Sequence, residues 1–292
     1  MSDIEKNIIN EYSMNSNIIF GPFIGDLLWE VCSWAPFIHY LKTVNPDKNI
    51  KVCTRTDRID LYYGICDDFI LYNIEGDYTE LIPEGCNIKN INTVTRSDIM
   101  GFSKKKGFKQ ISPVMRWRGE NFFFKKNIVL DNYRYHPNNK ELLQEMLDKR
   151  VAYNNITLIP KFSSRTENKI KQEKLWDELF EKISTYENYN FLIVGKNGSY
   201  FKPKIKSENI FILEDMKPHP SNYTSLIGLT MCSLENSILG LGEFCGNVAL
   251  GYLLDCNTIT WGDENEIEKF EKQWNNKCER INFNKFKIED YI

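Results

Sequence analysis

The 8 cysteines of this 292-residue sequence include no Cys-x-x-Cys pair, and histidine occurs only 3 times. Paired-cysteine metal or redox sites are therefore excluded. His39, His136 and His219 are far apart and share no cysteine or carboxylate at ligand spacing, so no metal is expected. His39 falls in a helical pattern and reads as structural. No apolar run approaches the ~20 residues that span a bilayer. The start, Met1-Ser2-Asp3-Ile4-Glu5-Lys6, has neither a basic lead nor an apolar run, so no secretory leader is expected. Free, buried thiols in a reducing cytoplasm are the simplest reading. No Gly-x-Ser-x-Gly elbow is present, which argues against a serine hydrolase. Gly195-Lys196-Asn197-Gly198-Ser199 lacks the spacing of a phosphate loop. Gly240, Gly242 and Gly246 miss the dinucleotide spacing by a residue and come late, against a Rossmann dehydrogenase. The net charge of −3 excludes a generic nucleic-acid binder, and nucleic acid is an unlikely partner.

Hydrophobic residues make up 42% of the chain and aromatics 13%, enough for two cores. The length predicts two domains, which we set at 1–152 and 153–292, the break falling in the polar stretch near Asn154. The opening stretch organises the first. Asn17-Ile18-Ile19-Phe20 has strand character and ends in Gly21-Pro22. Gly25-Asp26 comes next, and then Leu27, Leu28, Val31, Ala35, Ile38 and Leu41 recur at helical spacing. Pro36 inside that helix should bend or shorten it. Strand, glycine turn and helix form the opening unit of an α/β domain, whose ligands bind at the carboxyl ends of the strands. Asp26 at the helix start is either a general base or a capping residue. Asn49–Thr54 and Phe69–Leu71 read as further strands.

Residues 104–126 carry eight lysines and arginines, Arg116 and Arg118 among them, against Glu120 alone, with five aromatics interleaved and Phe102 just before them. The segment is either a solvated basic face with its aromatics in the core or a patch for a phosphorylated or acidic partner. Stacking on nucleic-acid bases is a third option.

The second half restarts the pattern. Ile156–Pro160 is a strand, and Leu175, Trp176, Leu179, Phe180 and Ile183 mark one face of a helix. Phe191–Gly195, Ile210–Leu213, Ser237–Gly242 and Thr258–Gly262 are further apolar strands, and Asn222–Met231 and Val248–Leu254 read as helices. The fold class expected is α/β: two Rossmann-like domains with parallel sheets facing a central cleft.

With these segments in place, the chain resembles the GT-B glycosyltransferases, and within them the heptosyltransferase-like branch, glycosyltransferase family 9. Gly25-Asp26-Leu27-Leu28 looks like that family's Gly-Asp-Leu/Val-Leu turn, with Pro36 near its first-helix proline. Ile159-Pro160, Ser163-Ser164 and Lys174-Leu175-Trp176 resemble its strand, serine loop and Lys-x-Trp helix start. Gly242-Glu243 through Trp261-Gly262 aligns without gaps to its Asn-Asp-Ser-Gly-Pro-x-His … Phe-Gly segment. Glu243 keeps the charge of the loop aspartate, whereas Phe244, Gly246 and Val248 stand for the serine, proline and histidine. The resemblance touches both ends and most of the second half, not ~75–135.

The resemblance implies an inverting, metal-independent transfer of a sugar from a nucleotide-sugar co-substrate to a glycan or phosphorylated acceptor. No other cofactor is implied. Asp26 would be the base. Ser163, Ser164, Lys174, Gly242, Glu243 and Gly246 would bind the donor, and Gly25, Arg116 and Arg118 the acceptor. Lys161, Arg165, Lys169 and Lys171 are alternatives to Lys174 as the cation facing the diphosphate. Two rival readings stand beside it: a catalytically weak relative serving as a carbohydrate-binding or scaffold protein, and a glycosyltransferase acting on modified DNA.

Overall fold

A computed structural model describes residues 3–21, 23, 27–66, 68–72, 109–111, 133–162, 169–196, 198–218, 222–274 and 276–292. The chain divides into two compact units: 1–136 with 219–227, and 137–218 with 228–292. The break thus falls at 136/137 rather than at 152/153, and a short later segment belongs to the first unit. Both differences have a local cause. The helix Asn138–Leu147 leads directly into the second unit's first strand, Asn154–Ile159, and Arg150 between them donates hydrogen bonds to Asn190 Oδ1 and to the Glu187 and Tyr189 carbonyls at the unit's second strand, Tyr189–Ile193. The Ser225 hydroxyl donates to the buried Asp60 carboxylate.

The first unit begins with α1 (Asp3–Met14), a helix that sequence reading passed over. Then come β1 (Asn17–Phe20), α2 (Leu27–Trp29), a π-helical turn (Glu30–Trp34), α3 (Ala35–Val44), β2 (Asn49–Arg55), a 3₁₀ segment (Thr56–Tyr62), β3 (Asp68–Tyr72) and β4 (Lys109–Ile111). The strands form one parallel sheet in the order β3-β2-β1-β4. β1 is central and its Ile18, Ile19 and Phe20 are buried, as an apolar run flanked on both sides requires. Gly21 ends it with φ +98°, and a Cβ there would lie 2.4 Å from the Cys53 carbonyl oxygen, so only glycine fits.

Pro36 acts as expected, and the structure shows how. Ala35 N–H bonds to Glu30 O, one residue further back than in an α-helix. The Val31 carbonyl would next look to residue 36, which has no N–H. The Tyr133 hydroxyl supplies the missing donor to Val31 O. Beneath this turn Glu30 is buried and paired with Arg58, and it accepts a 2.6 Å hydrogen bond from the Tyr62 hydroxyl. His39, in α3, donates from Nε2 to Leu61 O at 2.8 Å, and burial lowers its pKa. It is structural, as read. Of the basic segment 104–126 only Lys109–Ile111 is described; Lys109 sits in β4 and lies 3.8 Å from Glu11.

The second unit runs α4 (Asn138–Leu147), β5 (Asn154–Ile159), α5 (Lys169–Ile183), β6 (Tyr189–Ile193), β7 (Ile210–Ile212), α6 (Leu226–Glu235), β8 (Ser237–Glu243), α7 (Gly246–Leu253), β9 (Thr258–Trp261), α8 (Glu264–Trp274) and β10 (Glu279–Arg280). Its six strands are all parallel, in the order β10-β9-β8-β5-β6-β7. Numbered within the unit, that is 6-5-4-1-2-3, the doubly wound order of dinucleotide-binding sheets. Trp176, Phe180 and Ile183 of α5 pack on β5, β6 and β8 in its core. The C-terminal residues close the same core: Phe283 stacks on Trp261 at 4.0 Å, and Ile288 is buried. The chain's end therefore stays with the second unit. Among the described residues no helix is long and apolar enough to cross a membrane.

Candidate functional site

A doubly wound sheet has one place where strand order reverses, and ligands bind there, outside the carboxyl ends of the two flanking strands. In the second unit those strands are β5 and β8, paired in register at Ile159 and Gly242. The residues just beyond the end of each strand therefore make up the site.

After β5 comes Pro160-Lys161. Three backbone contacts fix this turn: Lys161 bridges Tyr200, Phe162 N–H donates to Ser199 O at 3.0 Å, and Phe201 N–H donates to Pro160 O at 2.7 Å. Tyr200 reaches its place only because residue 195 is glycine, where a Cβ would lie 2.2 Å from the ring. Lys161 is half-buried, and its ammonium has no ion pair or hydrogen bond among the described residues.

β8 ends on Glu243 itself. It is opposite Trp261 in the ladder, and Gly262, at φ +132°, leaves room for its stem: a Cβ there would stand 3.3 Å from Glu243 Cγ. Glu243 Oε2 is buried and accepts no hydrogen bond among the described residues. Burial raises the pKa of this carboxyl, Lys161 pulls it back down, and Glu266 pushes it up. Helix α7 begins three residues later. Cys245 precedes it in extended conformation (φ −166°, ψ −177°), and its side chain makes no cap hydrogen bond to the first turn. An ammonium, a carboxylate and an uncapped helix N-terminus thus gather at the strand reversal. Such a set can hold an anion and accept hydrogen bonds from hydroxyls.

The residues expected from sequence divide into two groups. Asp26, Gly25, Ser163, Ser164, Arg116 and Arg118 lie outside the described residues. Of the rest, Glu243 and Gly246 sit at the strand reversal. Gly242 sits there too, but its lack of a side chain is accounted for by packing: a Cβ would be 2.7 Å from both the Cβ and the carbonyl oxygen of Ile159. Lys174 lies in the second turn of α5 rather than at its start, with a side chain 78% exposed and 3.7 Å from Glu178. Phe244 and Val248 are core residues; Phe244 packs edge-on against Phe270 at 5.5 Å. The features sequence reading missed are the isolation of Lys161 and the burial of Glu243 Oε2. The one sequence signal for Lys161 was its place directly after a strand and proline. Among the described residues no group of His, Cys, Asp or Glu could hold a metal ion.

The fold and site define an α/β protein with two parallel sheets, one of them of nucleotide-binding order. No protein-family model matches the sequence, and no curated protein matches it significantly. Among solved structures the chain is similar to the glycosyl transferase family 9 protein of Veillonella parvula, with a TM-score of 0.51 and 10% identity, over 86% of this chain and 82% of that one. It also matches the E. coli heptosyltransferase WaaC with ADP, with a TM-score of 0.38 and 9% identity, over 87% of this chain and 96% of that one. The second score is below 0.5 and carries no argument. The first shows the fold.

Proposed function

We propose that the protein is a GT-B glycosyltransferase that moves a sugar from a nucleotide-sugar to a glycan or phosphorylated acceptor, with inversion and without a metal. The observation that carries the reading is the six-stranded doubly wound sheet with Lys161, Glu243 and the start of α7 at its reversal point. The likeness in fold to the Veillonella parvula protein and the sequence segments around Asp26, Ile159 and Glu243 support it. The second unit binds the donor. Glu243 accepts hydrogen bonds from donor hydroxyls, and the diphosphate lies toward the first turn of α7 at Gly246. Ser163 and Ser164, two and three residues after Lys161 in sequence, also serve the donor, and Gly25, Arg116 and Arg118 serve the acceptor. The acceptor hydroxyl attacks the anomeric carbon, its proton passes to the Asp26 carboxylate, and the bond from that carbon to the diphosphate oxygen breaks with its electrons. Nucleoside diphosphate leaves, stabilised by dipoles and cations in place of a metal. A cytoplasmic location suits the seven free thiols of the described residues.

The test is nucleotide release. The full chain is offered a panel of nucleotide-sugars with glycan and phosphorylated acceptors, and donor binding is followed by thermal shift. The Asp26→Asn variant is run beside it. A donor that binds both proteins, with release slowed roughly a hundredfold to ten-thousandfold in the variant, is the expected result for loss of a general base. Tight donor binding with unchanged release removes Asp26 from the mechanism.

One observation favours a second reading, a carbohydrate-binding relative with weak or no catalysis. Phe244 and Val248 are buried where family 9 carries a serine and a histidine. Donor binding without turnover on any acceptor would select it.

A further inference from the structure

The donor subsite has a cation problem. Lys174, the lysine that sequence likeness points to, is solvated and beside Glu178 on the outer face of α5. Lys169 and Lys171 are exposed, and the Lys169 ammonium is 3.7 Å from the centroid of the Phe162 ring. Glu243, at the strand reversal, would by itself repel a diphosphate. Phe244 and Val248 are turned into the core and bring no polar atom. Lys161 differs from all of these. It comes directly after the central strand β5, its backbone is pinned by the Tyr200 bridge and two flanking hydrogen bonds, and its ammonium is unpaired among the described residues. An ammonium in no ion pair can give a charge-assisted hydrogen bond to an arriving anion.

Resting on the donor-binding reading above, we propose that Lys161 is the residue that recognises the donor's diphosphate, pairing with it while Glu243 accepts from the ribose or sugar hydroxyls. The two side chains then divide one ligand by chemistry: the cation takes the anionic part and the carboxylate the diol. Their positions come from the sheet, since β5 and β8 are the pair on either side of the reversal. Lys161 also shields the diphosphate from the Glu243 charge. Because its backbone is already fixed, little ordering is left to oppose binding. Specificity results as well: a nucleoside without phosphates gains nothing from Lys161, whereas a nucleoside diphosphate does.

Isothermal titration of the full chain with ADP, UDP, GDP and CDP, and with the four nucleosides, tests this. Lys161→Ala, Lys161→Gln, Lys161→Arg and Lys174→Ala are compared with wild type, and circular dichroism checks each fold. The Gln variant keeps the aliphatic stem should the Ala variant unfold. The nucleoside diphosphate that binds wild type should weaken about tenfold or more in the Ala and Gln variants, as loss of a charged hydrogen bond predicts. Arg should restore part of that loss, Lys174→Ala should change nothing, and nucleoside affinity should stay constant throughout. Unchanged diphosphate affinity without Lys161, or an equal loss for nucleosides, overturns the assignment and leaves the donor-binding reading standing. Failure of wild type to bind any of the four diphosphates overturns both.

Discussion

Residue 243 is a carboxylate that the fold does not satisfy. One oxygen is buried without a hydrogen bond among the described residues, and burial raises the pKa above the ordinary value of 4.5. The charged groups acting on it are Lys161, which lowers the pKa, and Glu266, which raises it. Linkage sets the sign of the stability effect. Below the unfolded pKa both states are protonated and burial costs no charge. As pH rises through the higher folded pKa, the unfolded chain ionises more readily and stability is lost. Glu243→Gln removes that loss. The variant should therefore gain stability over wild type as pH is raised from about 4 to about 7, with no such gain below, in urea unfolding followed by fluorescence. A pH-independent difference would mean that the carboxyl is not buried as described. An ionisable group that costs stability at neutral pH is what a ligand site requires, and a structural cap would show the opposite sign.

The turn after α2 shows what one proline does at the scale of an element. Its missing N–H shifts the helix into a π-turn and leaves the Val31 carbonyl to the Tyr133 hydroxyl, 102 residues away. Tyr133→Phe should cost roughly 1–3 kcal/mol, because it strands a buried acceptor. In a Pro36→Ala background the helix regains a donor, so the same change should cost clearly less. A double-mutant cycle by urea unfolding measures the difference, and additive costs would sink the account. The proline was legible in the sequence, and so was its disturbance of the helix. Its partner was not, because no local pattern links positions 36 and 133. The same division runs through the elements generally. β1, β5, β6, β8 and β9 are apolar runs ending in glycine or in short polar turns, and periodicity finds them. Helices α1 and α8 are rich in charge and were passed over. β4 and β10 are three and two residues long, too short to carry a pattern. At the site, Glu243 and Gly246 were singled out by the resemblance to family 9, and they stand at the end of β8 and the start of α7. The burial of Phe244 and Val248 agrees with their apolar character, whereas the exposure of Lys174 depends on which face of α5 meets the sheet.

For the whole molecule, the division into units rests on contacts that join distant parts of the chain, and these leave no trace in local sequence. Asp60 is the clearest case. It is buried in the first unit, accepts the His136 N–H at 2.7 Å on Oδ1, and accepts the Ser225 hydroxyl at 2.5 Å on Oδ2. His136 is the last residue of the unit's first stretch, and Ser225 belongs to its returning segment. Between them the His136 ring stacks on Tyr223 at 5.1 Å, with Tyr223 held at φ +52°, a conformation that costs about 1–3 kcal/mol outside glycine. One carboxylate thus ties three pieces of chain into one body: the 3₁₀ segment after β2, residues 133–136, and residues 222–225. A polar boundary near residue 152 is what composition offers, but composition cannot register a tie across 165 positions. Asp60→Ala should strip both donors of this acceptor and lower the first unit's stability by roughly 1–3 kcal/mol for each donor left unmet. Ser225→Ala removes the hydroxyl donor together with its bond to Asp60 and leaves the His136 N–H paired, so its cost should be smaller, about 1 kcal/mol. Hydrogen exchange separates the two. In Asp60→Ala the His136 amide should exchange markedly faster, together with residues 222–225, while β5 and β8 of the second unit keep their protection. If the His136 amide exchanges as slowly in Asp60→Ala as in wild type, the returning segment is held by something other than this carboxylate.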